Sequence, residues 1–332
     1  MTEAITNRKN LIVLIAAFFA VYVIWGSTYL AIKYSIETLP PFLMAGTRFA
    51  VAGTILFFSA RFTKDYERPT FEHWKTAAIV GIFLLLGGNG AVVIASKYIP
   101  SSMAALLVAT EPLFVVMLSW LWLGNARPNW KVAAGLLIGF LGVYLLIAGK
   151  SSTGGTTGYT EWFGYAAMIF GALSWAVGSI YGLKGSTPRS SLLTSGMQML
   201  AGSVSLFIVG LIRGEHMTFD AAAVSSNSIF ALFYLIVFGS LMGFTAYSWL
   251  LKNAQPAMVA TYAYVNPVIA VILGWSIAGE SLTAQMLIGA FVIVASVILI
   301  TANKSEKPDD DDVTIHHSQT PAGNRPSYST SS

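Results

Sequence analysis

Apolar residues run almost unbroken from Leu11 to Ala302, in stretches of roughly 20 that are separated by short breaks rich in charged residues, glycine or proline. An α-helix rises 1.5 Å per residue, so about 20 apolar residues cross a hydrocarbon core of about 30 Å. The stretches lack the apolar–polar alternation of a membrane β-barrel strand, and helices are the predicted elements. The breaks place spans at 11–32, 42–60, 76–96, 101–123, 130–149, 163–182, 190–212, 228–251, 257–278 and 283–302. Arg8 and Lys9 precede the first of these as they would a signal peptide, but the stretch is too long and has no small-residue exit, so it is read as a span.

Charge sets the orientation. With the N-terminus in the cytoplasm, fourteen basic residues fall on cytoplasmic segments, and four (Lys33, Lys97, Lys150 and Arg213) fall outside. This bias predicts that both termini are cytoplasmic. The ten spans divide into two fives that resemble each other. Trp25, Tyr29 and Lys33 match Trp175, Tyr181 and Lys184 in order, and Lys97 precedes Glu111-Pro112 by the same interval at which Lys252 precedes Asn266-Pro267. Because five is odd, the second copy enters the membrane from the opposite face, giving an inverted repeat. The predicted fold class is thus an all-α polytopic membrane protein of ten transmembrane helices in two inverted five-helix repeats. Residues 1–10 form a cytoplasmic N-terminus, 11–149 the first repeat, 150–162 a linker rich in glycine, serine and threonine, and 163–302 the second repeat. Residues 303–332, with the acidic run Asp309 to Asp312, read as a disordered cytoplasmic tail.

Composition narrows the chemistry. Charged residues make up 10% of the 332, against about 25% in soluble domains. The chain has no cysteine, which excludes disulfides, thiol nucleophiles and cysteine metal sites. His73, His216, His316 and His317 all lie outside the apolar stretches, so no metal site, cofactor or catalytic residue is expected. The net charge of +4 is accounted for by the basic loops and does not point to nucleic acid. Gly87 to Gly90 follows no strand and is a packing or bending element, and with no phosphate-binding loop the chain carries no ATPase.

Within the spans only two ionisable residues lie deep. Arg48 stands about 10 Å in from Pro41, and Glu111 about 15 Å in from the start of its span. A charge near the bilayer centre costs about 2.5–3.5 kcal/mol, so each is either paired, with the other as one candidate partner, or in contact with substrate or proton. Pro112 and Pro267 remove helix hydrogen bonds and predict kinks that either free carbonyls toward a cavity or only shape packing. The polar and aromatic residues Trp25, Ser27, Thr28, Tyr29, Asn89, Thr110, Ser174, Trp175, Gln198, Ser240, Thr245, Tyr247, Thr261, Tyr262, Tyr264 and Asn266 gather in spans one, three, four, six, seven, eight and nine, which are expected to line a substrate cavity. Spans five and ten are nearly all aliphatic and glycine, with Gly135, Gly139 and Gly142 forming a small-residue face, and are expected to be scaffold.

The segments Pro40 to Phe49, Ala109 to Phe114 and Tyr262 to Gly274, followed by Gly279-Glu280-Ser281-Leu282, resemble the EamA-domain members of the drug/metabolite transporter superfamily over essentially 11–302. The resemblance implies two inverted EamA repeats around a central cavity that opens to one face at a time, and export of amino acids, other metabolites or toxic compounds. Arg48 falls on the family's second-span arginine and Gly279-Glu280 on its Gly-Glu pair. At the position matching Glu280 in the first repeat the chain carries Asn125. The expected function is a secondary exporter in a bacterial inner membrane, acting on a small-molecule substrate by alternating access, with protons as a candidate coupling ion, as a monomer or homodimer in the lipid bilayer. A passive channel or facilitator and a phosphate-ester or nucleotide-sugar exchanger are the competing classes. The second of these would call for several cavity cations where the sequence supplies one.

Overall fold

A computed structural model describes residues 2–123, 130–148, 158–254 and 262–304. Those residues form helices and their connections, with no strand among them. Seven helices are long and apolar enough to cross a membrane: α1 (Leu11–Ser35), α2 (Pro41–Phe62), α3 (Phe71–Ala95), α4 (Ser101–Trp122), α6 (Thr160–Lys184), α7 (Ser191–Ile212) and α8 (Ser226–Tyr247). Among the described residues there are also three shorter apolar helices: α5 (Trp130–Leu145), α9 (Val265–Ser276) and α10 (Ala284–Ile300). Parts of the stretches expected at 130–149 and 257–278 fall outside the described residues, as do the linker core at 149–157 and the tail beyond 304.

Local sequence fixes several helix starts. Pro41 opens α2 at the position where its missing N–H is not needed. Thr70 and His73 form a reciprocal capping box at α3. Ser190 and Ser225 each accept a backbone N–H three residues on, starting α7 and α8. Trp130 and Trp162, at helix ends, are exposed as interfacial aromatics are.

Packing follows the repeat. Helix α1 packs on α8 and α9, and its equivalent α6 packs on α3 and α4, while α2 packs on α7, α4 on α9 and α5 on α10. Exchanging the halves leaves this pattern unchanged. Their directions are opposite: Lys33 at the end of α1 meets Ser101 at the start of α4 through Glu280, whereas Lys184 at the end of α6 donates to the carbonyl of Trp122 at the end of α4 (3.0 Å). Helices α1 and α6 therefore run antiparallel. The α5–α10 seam is close because it lacks side chains on one side: a Cβ on Gly135 would lie 2.6 Å from Ile300 Cγ1, and one on Gly142 would lie 2.8 Å from Ile293 Cγ1. On the other face Leu137, Leu141 and Phe291 are exposed, as lipid contact requires.

Three spans depart from α-helical winding. Ala20–Ile24 in α1, Ile82–Asn89 in α3 and Leu235–Met242 in α8 are π-helical. The last two occupy equivalent places in the two halves. Helix α4 is interrupted between Val108 and Glu111, where Pro112 cannot donate to the carbonyl of Val108.

Candidate functional site

The irregular segments surround one cavity, with about 730 Å³ of space between atoms including its mouth. Helix α1 supplies Trp25, Thr28 and Tyr29; α2 supplies Arg48; α3 supplies Gly88 and Asn89; α4 supplies Val108 and Glu111; and α6 supplies Gly171, Ala172 and Trp175. Phe244 of α8 and Tyr262 and Asn266 of the α9 segment close it. Helices α5 and α10 contribute no lining residue among those described.

The walls are held by bonds between helices. Trp25 donates its indole N–H to the carbonyl of Gly239 (3.1 Å), in the π-helical stretch of α8. Ser174 donates to the carbonyl of Phe83 (2.8 Å), in the π-helical stretch of α3. With its amide turned to donate, Asn266 reaches the carbonyls of Tyr22 (3.1 Å) and Tyr262 (3.3 Å), the former in the π-helical stretch of α1. Each wide turn thus presents a carbonyl that a side chain from another helix satisfies. That exchange of partners explains how the backbone can depart from α-winding inside a membrane.

Aromatic rings form one wall. The ring of Trp25 lies 5.3 Å from that of Tyr262, 5.1 Å from that of Tyr247 and 5.5 Å from that of Phe244, centroid to centroid. Trp175 stands across the cavity on Gly88, where an added Cβ would come within 2.7 Å of its ring. Arg48 is buried; its Nε donates to Ser240 Oγ (2.9 Å), and its guanidinium carbon sits 4.7 Å from the Phe49 ring centroid. Glu111 begins the second segment of α4, where the free N–H groups of a helix start favour a carboxylate. No ion pair joins Arg48 to Glu111, so the two deep charges do not neutralise each other by contact.

Of the residues expected at the site, Trp25, Tyr29, Arg48, Asn89, Glu111, Trp175, Tyr262 and Asn266 line the cavity. Tyr247 stands behind the wall, against Trp25 and Tyr262. Gln198 does not line it. The backbone of α7 at this position packs tightly on α3: a Cβ on Gly81 would lie 2.6 Å from the Gln198 carbonyl. Pro112 lies at the break that leaves Val108 on the cavity, whereas Pro267 is accommodated inside a continuous helix, Tyr262–Ser276. Phe244 was not foreseen, although Ser240, Phe244 and Tyr247 recur at the spacing of one helical face. Among the described residues, no group of three or more histidine, cysteine or acidic side chains could hold a metal ion.

The sequence pattern of the EamA-like transporter family matches this chain twice, over residues 11–148 and 162–302. The uncharacterized inner membrane transporter YedA of Escherichia coli (strain K12) is 38% identical over 298 residues, covering 89% of this chain and 93% of that protein. The uncharacterized transporter YvbV of Bacillus subtilis (strain 168) is 28% identical, covering 90% and 94%. A solved structure titled only as a crystal structure of a protein shares the fold, with a TM-score of 0.59 at 19% identity over 87% of this chain and 96% of that one. Two matched copies span nearly all of the helical region, and the chain belongs to the EamA-like transporter family.

Proposed function

We propose that this transporter is a secondary exporter of small zwitterionic or aromatic solutes, amino acids or similar metabolites and drugs, across a bacterial inner membrane. It has ten spans with both termini cytoplasmic and works by alternating access. The observation that carries the reading is that Arg48 and Glu111, unpaired with each other, share one aromatic-walled cavity in mid-span. A solute with a carboxylate and an ammonium can answer both charges at once, and rings such as Trp25, Trp175 and Tyr262 offer flat apolar surface to its remainder. A phosphate ester would bring two negative charges to a cavity lined, among the described residues, by one cation. The antiparallel halves supply the two near-equivalent arrangements that alternating access needs.

Counterflow tests this. Purified protein in liposomes loaded with an unlabelled amino acid should take up the labelled one transiently above equilibrium, because the unlabelled solute inside competes with the label for the carrier's return. A panel of zwitterionic aromatic and aliphatic amino acids, nucleosides and cationic dyes should show trans-stimulation for the zwitterions. Uptake without trans-stimulation would assign a channel, and stimulation by phosphate esters alone would assign an exchanger.

A further inference from the structure

At the end of the molecule that holds Lys33, the Glu280 carboxylate gathers five donors. Its Oε1 accepts from Lys33 Nζ, the Ser101 backbone N–H and Ser101 Oγ, each at 2.8 Å. Its Oε2 accepts from the Ser102 backbone N–H (3.0 Å) and Ser102 Oγ (2.5 Å). The connection after α9 is shaped to deliver it. Gly279 takes a φ of +63°, Glu280 N–H bonds back to the Gly274 carbonyl (2.9 Å), and a side chain at Gly274 would come within 2.5 Å of Glu280 Oε2. One carboxylate thus ties together α1, α4 and the end of α9. These helices bring Trp25, Glu111 and Asn266 to the cavity.

Two other carboxylates hold helix starts, and they differ from Glu280 in one respect. Glu215, after α7, accepts from the N–H groups of Phe42 and Leu43 at the start of α2, both at 3.0 Å. Its counterpart in the other half, Glu67 after α2, accepts from the Arg189 N–H at the start of α7 (2.8 Å). The α2–α7 pair is therefore fastened at both ends. Glu280 has no such twin. The displacement that superposes Glu111 on Asn266 puts Asn125 in its place, outside the described residues and without a charge. Lys184, the twin of Lys33, instead donates to the Trp122 carbonyl.

We propose that the knot of Lys33, Glu280, Ser101 and Ser102 is the gate latch at its end of the cavity, broken and remade in each cycle while the doubly fastened α2–α7 pair stays joined. The proposal rests on the alternating-access reading above. Five bonds on one group break together, so the gate has two discrete states instead of a continuum.

The absence of natural cysteine makes the test direct. A single reporter, Val92→Cys, lies on the cavity wall in the half of α3 nearest the knot. Right-side-out vesicles carrying the full chain would be treated with a membrane-impermeant maleimide, and inside-out vesicles would report the other face. Glu280→Gln keeps the side-chain shape but loses the charge, and should speed labelling from the Lys33 face at least about tenfold, the change expected if a two-state gate loses the equivalent of one charge-assisted bond. Lys33→Met should act in the same direction and guards against a folding defect in the first variant. Ser296→Cys, buried in the α5–α10 seam, should stay unlabelled in every background. Unchanged labelling at Val92→Cys in both variants, with melting temperature retained, would reduce Glu280 to a helix cap. Labelling that rises at Ser296→Cys as well would mean general loosening and would equally overturn the latch. Counterflow absent from the wild-type protein would strike instead at the transport reading, which the labelling does not use.

Discussion

Arg48 is the residue at which burial and chemistry conflict most sharply. It is 4% exposed, in mid-span, with a side-chain hydrogen bond to Ser240 and, among the described residues, no carboxylate in ion-pair contact. A charge there costs about 2.5–3.5 kcal/mol. Apolar packing could replace it if it served only structure. Arg48→Ala should therefore abolish counterflow, and Arg48→Lys should recover little of it, because an ammonium cannot present the planar fork that meets a carboxylate in two places. Wild-type flux in the alanine variant would show the residue to be dispensable. Glu111 allows a different separation. Its repeat twin Asn266 cannot titrate, so a proton-coupled cycle would have one proton site. Glu111→Gln should retain exchange and lose accumulation driven by a pH gradient. Concentrative uptake by that variant under a pH gradient alone would remove Glu111 from coupling. Both residues were legible in the sequence because deep charge is rare. Gln198 is polar as well but stands outside the lining, since polarity alone does not tell which face of α7 meets the cavity.

At the scale of elements, the apolar lengths and the repeat could be read directly, whereas the π-helical stretches could not. Apolar length is a local property, while the wide turns at Ile82–Asn89 and Leu235–Met242 accompany donors from elsewhere in the fold, Ser174 and Trp25. The break before Glu111 was legible because Pro112 carries it in the chain itself. Glu280 stood out in the sequence only through family resemblance, since its partners come from two distant connections. Burial pushes its carboxyl up, but hydrogen bonds from Lys33, from the Ser102 side chain and backbone, and from Ser101 outweigh that and hold it down at about 2, below the ordinary 4.5. A group depressed in the folded state adds stability above its ordinary value and loses it as pH falls through the lowered one. Labelling of Val92→Cys, divided at each pH by the rate of a free thiol so that the change in thiolate fraction cancels, should accordingly be flat from about pH 8 to about pH 5, with loosening confined to much stronger acid. A rise centred near pH 5 would show that the knot does not hold the carboxylate as described.

For the whole molecule, the structure sorts the connections into two ends and the sequence distributes charge between them. The contacts divide the connections into two ends without reference to any membrane. Lys33, Ser101, Glu215 and Glu280 lie at one end, and Glu67, Arg189, Lys184 and Trp122 at the other. Basic residues follow the same division: Arg61, Lys64, Arg68, Lys75, Lys184 and Arg189 belong to the second end, against Lys33, Lys97 and Arg213 at the first. Short basic loops are retained in the cytoplasm, so the Glu67 end should face inward. Both repeats must obey this together, because their antiparallel arrangement puts the 61–70 and 183–190 connections side by side, as the Glu67–Arg189 bond requires. Reporters active only in the periplasm should stay silent when fused within Arg61–Lys75 or after Ser332, and should be active when fused in the 213–225 connection. A periplasmic signal at Arg61–Lys75 would invert the protein. A signal only after Ser332 would leave the first half in place and change the number of spans in the second. Neutralising positive charge should test the cause as well as the outcome: removing it from Arg61, Lys64, Arg68 and Lys75 together leaves Arg8, Lys9, Arg127 and Lys131 in the first half to hold the bias, so the orientation should weaken toward a mixed population without inverting.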